Sequence, residues 1–444
     1  MPYRRALWAV ALLALLVGVV ATIQGPAGIT DPPAGSDLLS FFFPAAARVL
    51  DGQPFGIYAV RAFGDYPNYA PPVSIEAMAG LIGIARAVDV PDAASCVTQS
   101  FATLDCRSLV SFVGLGFLPS VFVLGALVLA AIRRVAPRVT NAAALFAFGL
   151  IVLGPLLWLD FTTWGHLEQP LMLCFLVAGV VALQSGRTVL AAILLALAIL
   201  TRTTALIPVL ALLAVLAAER RWTRAATVAG VMAGVGIVVL APFFLADPSN
   251  ATYSLLTWRS SAAIGNSIWS LVAGTSLGNI ARSLDQPVAI VLALAAGFVG
   301  TRRLGVTSAG RGLWGVLAVA AMLVPLVSKT NWPYYYAEPF VLLLIWETAT
   351  TGDVEAGAAG RTPASVSPTG WRGPLPLLSI LFLAVAVTLG QFMGLHSVTN
   401  GGIVLRLMGI TQFVAVGAFA VATWWLLRAT ARDDRSVTEA PAPA

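Results

Sequence analysis

The chain is divided by long apolar runs that hold almost no charge. They cover residues 6–23, 109–132, 140–159, 170–184, 189–201, 204–218, 225–245, 287–300, 311–328, 335–348, 374–392 and 401–427. A helix needs roughly 20 apolar residues to cross a bilayer. In hydrocarbon every backbone N–H and C=O must find a partner within the protein, which leaves helices or closed barrels as the only spanning structures. Runs of this length predict an all-α, polytopic transmembrane helical bundle of about 12 spans, within a range of about 10–13. Composition agrees. Of 444 residues 59% are hydrophobic and 10% charged, against about 25% charged in soluble domains. A water-soluble multidomain enzyme is excluded, as is a disordered or fibrous chain. No internal repeat is visible, whereas a transporter built from inverted repeats would tend to show matching halves.

The net charge of +6 would suggest nucleic acid in a soluble protein. In a membrane chain it reads as orientation, with no nucleic-acid partner expected. Arg4 and Arg5 precede the first run, which reads as a signal anchor with a cytoplasmic N-terminus. Residues 24–108 hold eight carboxylates and two short, interrupted apolar segments, 38–50 and 72–88. Pro44 and Arg48 break the first, and Glu76 and Arg86 sit within the second. Both suit amphipathic helices at the membrane interface. If 72–88 does not span, Arg133, Arg134 and Arg138 fall inside, as the positive-inside rule prefers. Both termini are then cytoplasmic, the inner face carries a net +10 and the outer face −4. Residues 1–428 read as one transmembrane unit, with 24–108 as its extracytoplasmic loop. Residues 429–444 read as a polar, disordered cytoplasmic tail ending in APAPA.

Polar groups gather at the outer ends. Asp37 stands just before the FFF-containing segment. It can cap that helix, or, at the membrane surface, take a proton from a hydroxyl. Asp65 and Tyr66 open the stiff string DYPNYAPP, whose prolines set the turn. The string DFTTWGHLE packs Asp160, His166 and Glu168 between two spans, where polar groups must face water or a cavity. His166 can meet a phosphate, carry a proton or simply bond to loop carbonyls. Arg202, Lys329 and Arg406 are basic residues on an acidic face. Each fits an anionic headgroup or snorkelling to the interface. Lys329 precedes the aromatic string NWPYYYAEP. Cys174 lies inside an apolar run and reads as packing. Cys96 and Cys106 flank a short polar loop, and a disulfide is expected if that loop faces an oxidising compartment. No Walker A, H-E-x-x-H or G-x-S-x-G motif is present.

These residues resemble the GT-C class of integral-membrane glycosyltransferases, in particular its polyprenyl-phosphate-mannose-dependent members. The stretch AAARVLDGQPFGIY is similar to the A-R-x-L-x-G-x-x-P-Y element of that class, DYPNYAPP to its D-Y-P-P element, and WGHLE to its G-H-P-E turn. The run AAILLALAILTRTTALIPVLALL is similar to its helix pair that often carries a Lys, with Arg202 in that place. The similarity covers roughly residues 1–218.

The resemblance implies an inverting hexosyltransferase in the cell membrane with its active site outside. It would move a sugar, expected to be mannose, from a polyprenyl-phosphate donor to a lipid or glycan acceptor. Asp37 would be the general base. Asp65, Tyr66, His166 and Glu168 would line the substrate site, with Arg202, Lys329 and Arg406 toward the donor phosphate. No cofactor is required on this reading, since the lipid phosphate leaves already charged, and a divalent metal stays open. Two other classes fit the same features: a transporter or flippase for a lipid-linked substrate, and a polysaccharide polymerase or ligase. A transporter should carry ionisable groups within its spans, and those of this chain sit at span ends.

Overall fold

The computed structural model describes residues 2–24, 37–62, 66–91, 93–97, 106–161, 165–258, 267–358, 375–396 and 403–438. The apolar runs are helices throughout. In chain order these are α1 (Pro2–Gln24), α2 (Phe43–Leu50, entered through a wider π turn, Leu38–Phe42), α3 (Pro72–Ala87), α4 (Arg107–Val135), α5 (Asn141–Val152), α6 (Pro155–Leu159), α7 (Gln169–Gln184), α8 (Thr188–Thr201), α9 (Leu206–Ala218), α10 (Trp222–Ala246), α11 (Pro248–Thr252), α12 (Ser276–Leu304), α13 (Gly312–Val327), α14 (Ala337–Ala358), α15 (Leu377–His396) and α16 (Ile403–Thr438). The only strands among the described residues are β1 (Arg61–Ala62) and β2 (Tyr66–Pro67), an antiparallel pair with Ala62 opposite Tyr66.

Among the described residues six helical stretches are long and apolar enough to cross a membrane: Tyr3–Ile23, Arg107–Val135, Asn141–Leu159 (α5 and α6 together), Trp222–Ala246, Ser276–Leu304 and Arg406–Thr430. Several other apolar helices are shorter, among them α7, α8, α9 and α13. At 1.5 Å per residue the 16 residues of α13 reach about 24 Å, less than the ~30 Å hydrocarbon core. Burial differs from helix to helix. Ile237, Val238 and Leu245 of α10 point outward into the surroundings, whereas α13 is buried almost all round. Close approach in the interior relies on small residues. A Cβ on Gly297 would lie 2.2 Å from the Ala211 carbonyl oxygen, so α12 and α9 meet backbone to backbone there.

The two expected interfacial helices differ. In α3, Ile75, Met78, Ala79, Ile82 and Ala85 are buried while Glu76, Ile84 and Val88 face out, an amphipathic pattern. The 38–50 segment does not lie on a surface. Leu38 to Phe43 and Ala45 to Ala47 are all buried, because α3 and the turn Pro54–Ala59 pack over it. Its aromatic run fills protein and not the interface. At the far end, α16 continues to Thr438, ten residues beyond the boundary expected for the tail; residues 439–444 of that tail lie outside the described residues. Cys96 and Cys106 form a disulfide, and Cys174 is buried.

Side-chain bonds separate two ends of the bundle. At one, Arg134 donates to the Gln184 carbonyl, Gln184 to the Gly310 carbonyl, Arg224 to Thr188, and the Ser308 N–H to Glu219. At the other, Asp37, Tyr69, His166, Glu168 and Arg202 meet. The helices α8 and α9 connect the ends as a V. The chain leaves Thr188, turns at Arg202 and comes back, so that Arg224 reaches Thr188. Asp37, His166, Glu168 and Arg202 are thus found together, apart from the cluster of Arg134, Gln184, Glu219 and Arg224.

Candidate active site

The V is broken at its point. Helix α8 stops at Thr201, Arg202 takes an extended conformation (φ −156°, ψ 124°), and a 3-10 turn, Thr203–Ala205, starts the return. That break turns the guanidinium into the end of the bundle, where it is buried. Its Nη1 donates to Glu168 Oε1 at 2.6 Å. Glu168 precedes α7, and the loop leading to it needs Gly165 at φ +70°, a conformation open to glycine at no steric cost. The His166 N–H then closes the loop on the Asp160 carbonyl at 3.0 Å.

His166 sits between two carboxylates. Nε2 is 3.5 Å from Asp37 Oδ2, and Nδ1 is 2.9 Å from Glu168 Oε1 and 2.9 Å from Arg202 Nη1. Nδ1 cannot accept from Arg202 and donate to Glu168 at once. If it accepts, the neutral ring carries its proton on Nε2. In that tautomer the proton on Nε2 faces Asp37. Tyr334 packs on the imidazole with centroids 3.7 Å apart and also lies under Arg202, 4.4 Å from its centroid, in a cation–π contact. Phe42 meets His166 edge-on.

Asp37 stands at the mouth of this cluster. It is the residue before the π turn, yet its side chain makes no capping bond. The carboxylate instead accepts from the Tyr69 hydroxyl at 2.7 Å and faces His166. Burial alone would raise its pKa; His166, the Tyr69 bond and Arg202 outweigh burial and hold it below the ordinary carboxylate value. Burial, and then the Asp37 charge, push the Tyr69 phenol well up, so it remains a donor. Among the described residues both contacts of Asp37 fall on Oδ2.

A small cavity lies here, lined by Phe42, Tyr69, Ser74, His166, Arg202 and Tyr335 among others, with about 40 Å³ free, enough for a few waters. Among the described residues Arg202 Nε is buried without a hydrogen-bond partner, a donor available to an anion. A second cavity of about 100 Å³ opens on the other side of the Thr203–Thr204 turn, between Ile207, Ala289, Ile290 and Val324. Thr203 and Thr204 line both.

Of the residues singled out from sequence, the structure gathers Asp37, His166, Glu168 and Arg202, and places Tyr66 in an aromatic contact with Phe41, a neighbour of Tyr69. Asp65 lies outside the described residues. Lys329 is directed elsewhere: its Nζ donates to the Arg282 carbonyl and its N–H to Asp285. Arg406 is exposed near the start of α16 and lines neither cavity. Sequence reasoning missed Tyr69, Tyr334 and Phe42 as members. Tyr69 stood in the DYPNYAPP string and Tyr334 in the string after Lys329, where the lysine drew attention from the rings. Among the described residues no group of three or more His, Cys, Asp or Glu is placed to hold a metal ion. No family model and no curated protein matches the chain.

Proposed function

We propose that the chain is a GT-C-class glycosyltransferase of about twelve spans that transfers a sugar, mannose by resemblance, from a polyprenyl phosphate to an extracytoplasmic acceptor. The observation that carries this reading is the joining of an ionised, half-open carboxylate, Asp37, to a buried guanidinium, Arg202, through one imidazole. Inverting transfer needs a base on one side of the anomeric carbon and a cation by the departing phosphate on the other.

The acceptor hydroxyl meets the free oxygen of Asp37. Its oxygen attacks the anomeric carbon while its proton passes to the carboxylate. The bond from that carbon to the phosphate oxygen breaks, and polyprenyl phosphate leaves with the electron pair. A carboxylate held this acidic does not deprotonate a free alcohol; the proton moves as the new C–O bond forms and the hydroxyl becomes acidic. Arg202 balances the charge gained by the phosphate, and its unpartnered Nε–H gives it a donor not committed to Glu168. The cavity beyond Thr203 and Thr204 carries Asp285, Gln286 and Ser328 on its wall, and its apolar part, Leu206, Ile207, Ala289, Ile290 and Val324, suits the first isoprene units. With about 40 Å³ free beside Tyr69, His166 and Arg202, a sugar enters by parting the lining side chains.

Purified protein incubated with a panel of polyprenyl-phosphate sugars and glycan acceptors tests this reading. Single-sugar addition is expected, with loss of at least about 100-fold in Asp37→Asn in a protein that keeps its elution profile. Wild-type rates in that variant, or transport without bond formation, would overturn it; transfer of a whole glycan block would favour a polymerase or ligase.

A further inference from the structure

Asp37 Oδ2 is held from two sides. His166 leads to Arg202, and Tyr69 leads to a set of aromatic rings that the transfer chemistry itself does not use. Tyr69 stacks on Trp258 with centroids 5.1 Å apart and planes 9° from parallel. Tyr66 meets Trp258 edge-on at 4.8 Å. Phe41, buried, backs both tyrosines at 6.4 and 6.1 Å. Tyr66 keeps 39% of its surface exposed, beside a carboxylate at the polar end of a membrane protein.

The wall is built to stay in place. Trp258 belongs to a segment nearly two hundred residues from Tyr66, and two ties lock that segment to the first loop. Arg61 donates to Asn250 and stacks over Tyr253, and the Ser254 hydroxyl donates to the Tyr58 carbonyl at 3.2 Å. Tyr66 is fixed by its pairing with Ala62. A rigid exposed ring next to a hydrogen-bonding carboxylate matches one chemistry closely. A pyranose carries C–H bonds on its face and hydroxyls on its rim. The electron-rich face of an aromatic ring attracts the C–H side, and the carboxylate takes a hydroxyl. An aliphatic acceptor needs no such wall.

Resting on the proposed function, we infer that Phe41, Tyr66, Tyr69 and Trp258 form the acceptor subsite and that the acceptor is a glycan, presenting a pyranose ring to the wall and a hydroxyl to Asp37. The full chain in detergent, mixed with methyl α-mannopyranoside or a mannotriose, is examined by saturation-transfer NMR with aromatic irradiation, and mannitol serves as a polyol without a ring face. Transfer to the ring C–H protons of the glycosides and not to mannitol is expected. Binding should weaken about 3- to 10-fold in Tyr66→Leu and in Trp258→Leu and be retained in Tyr66→Phe. Equal signals for mannitol and glycoside, signals unchanged in both Leu variants, or no signal would overturn the inference, as would a signal arising only with a polyprenyl-phosphate sugar, which assigns the ring to the donor. The two readings fail separately: glycoside binding without transfer from any donor removes the enzyme and leaves the wall, while transfer without glycoside binding removes the wall alone.

Discussion

Asp160 is the residue that departs furthest from its expected chemistry. It is fully buried, and among the described residues neither carboxylate oxygen has a hydrogen-bond partner. Burial, opposed by Arg202, raises its pKa well above the ordinary value of 3.8. A carboxyl whose folded pKa is raised binds its proton more tightly folded than unfolded. Its contribution to stability is fully present below 3.8 and is lost as pH rises toward the folded value. Asp160→Asn should therefore raise the melting temperature at neutral pH and above, with the gain shrinking toward pH 4; a pH-independent difference would refute this assignment. Asp37 carries the opposite sign. Its pKa is depressed, so its stabilising interactions hold above 3.8 and fade as pH falls through the folded value. Sequence marked Asp160, Asp37, His166 and Glu168 because polar groups between spans are rare. It could not tell which of three acids in one end of the bundle would stay neutral, since that depends on which side chain lacks a partner.

At the scale of the element, breaks matter more than runs. The bend at Arg202 was legible, because a lone arginine between two short apolar runs has to be placed where the helix ends. The fate of 38–50 was not, because an amphipathic pattern says which face is apolar and not whether lipid or protein covers it. Another junction was also silent in sequence. Glu347 of α14 accepts the Leu378 N–H, the Ser379 N–H and the Ser379 hydroxyl, at 2.7 to 2.8 Å, at the start of α15. These are free donors of a helix N-terminus satisfied by a neighbouring helix. Glu347→Ala leaves them buried and unpaired, at a cost of about 1–3 kcal/mol. A melting temperature equal to that of the parent would show that water replaces the carboxylate.

For the whole molecule, the pairing of distant segments into two polar ends is a statement about the membrane. Ala87 and Pro137, both exposed, flank α4 on opposite sides. Cysteine placed at 87 should react with an impermeant maleimide on intact cells, and cysteine at 137 only after lysis. Labelling at 137 from outside would invert the orientation read from the arginines. Lys329 and Arg406 show the limit of that charge reading: it places a cation on a face and leaves its neighbours undetermined, and Lys329 turned to α12. The end that holds Asp37 draws on residues 37, 69, 166, 202 and 334, so three-quarters of the chain must be made before its parts can meet. During synthesis Asp37 leaves the ribosome long before Tyr334. A chain that ends before Tyr334 therefore has His166 and Arg202 without the ring that packs on both.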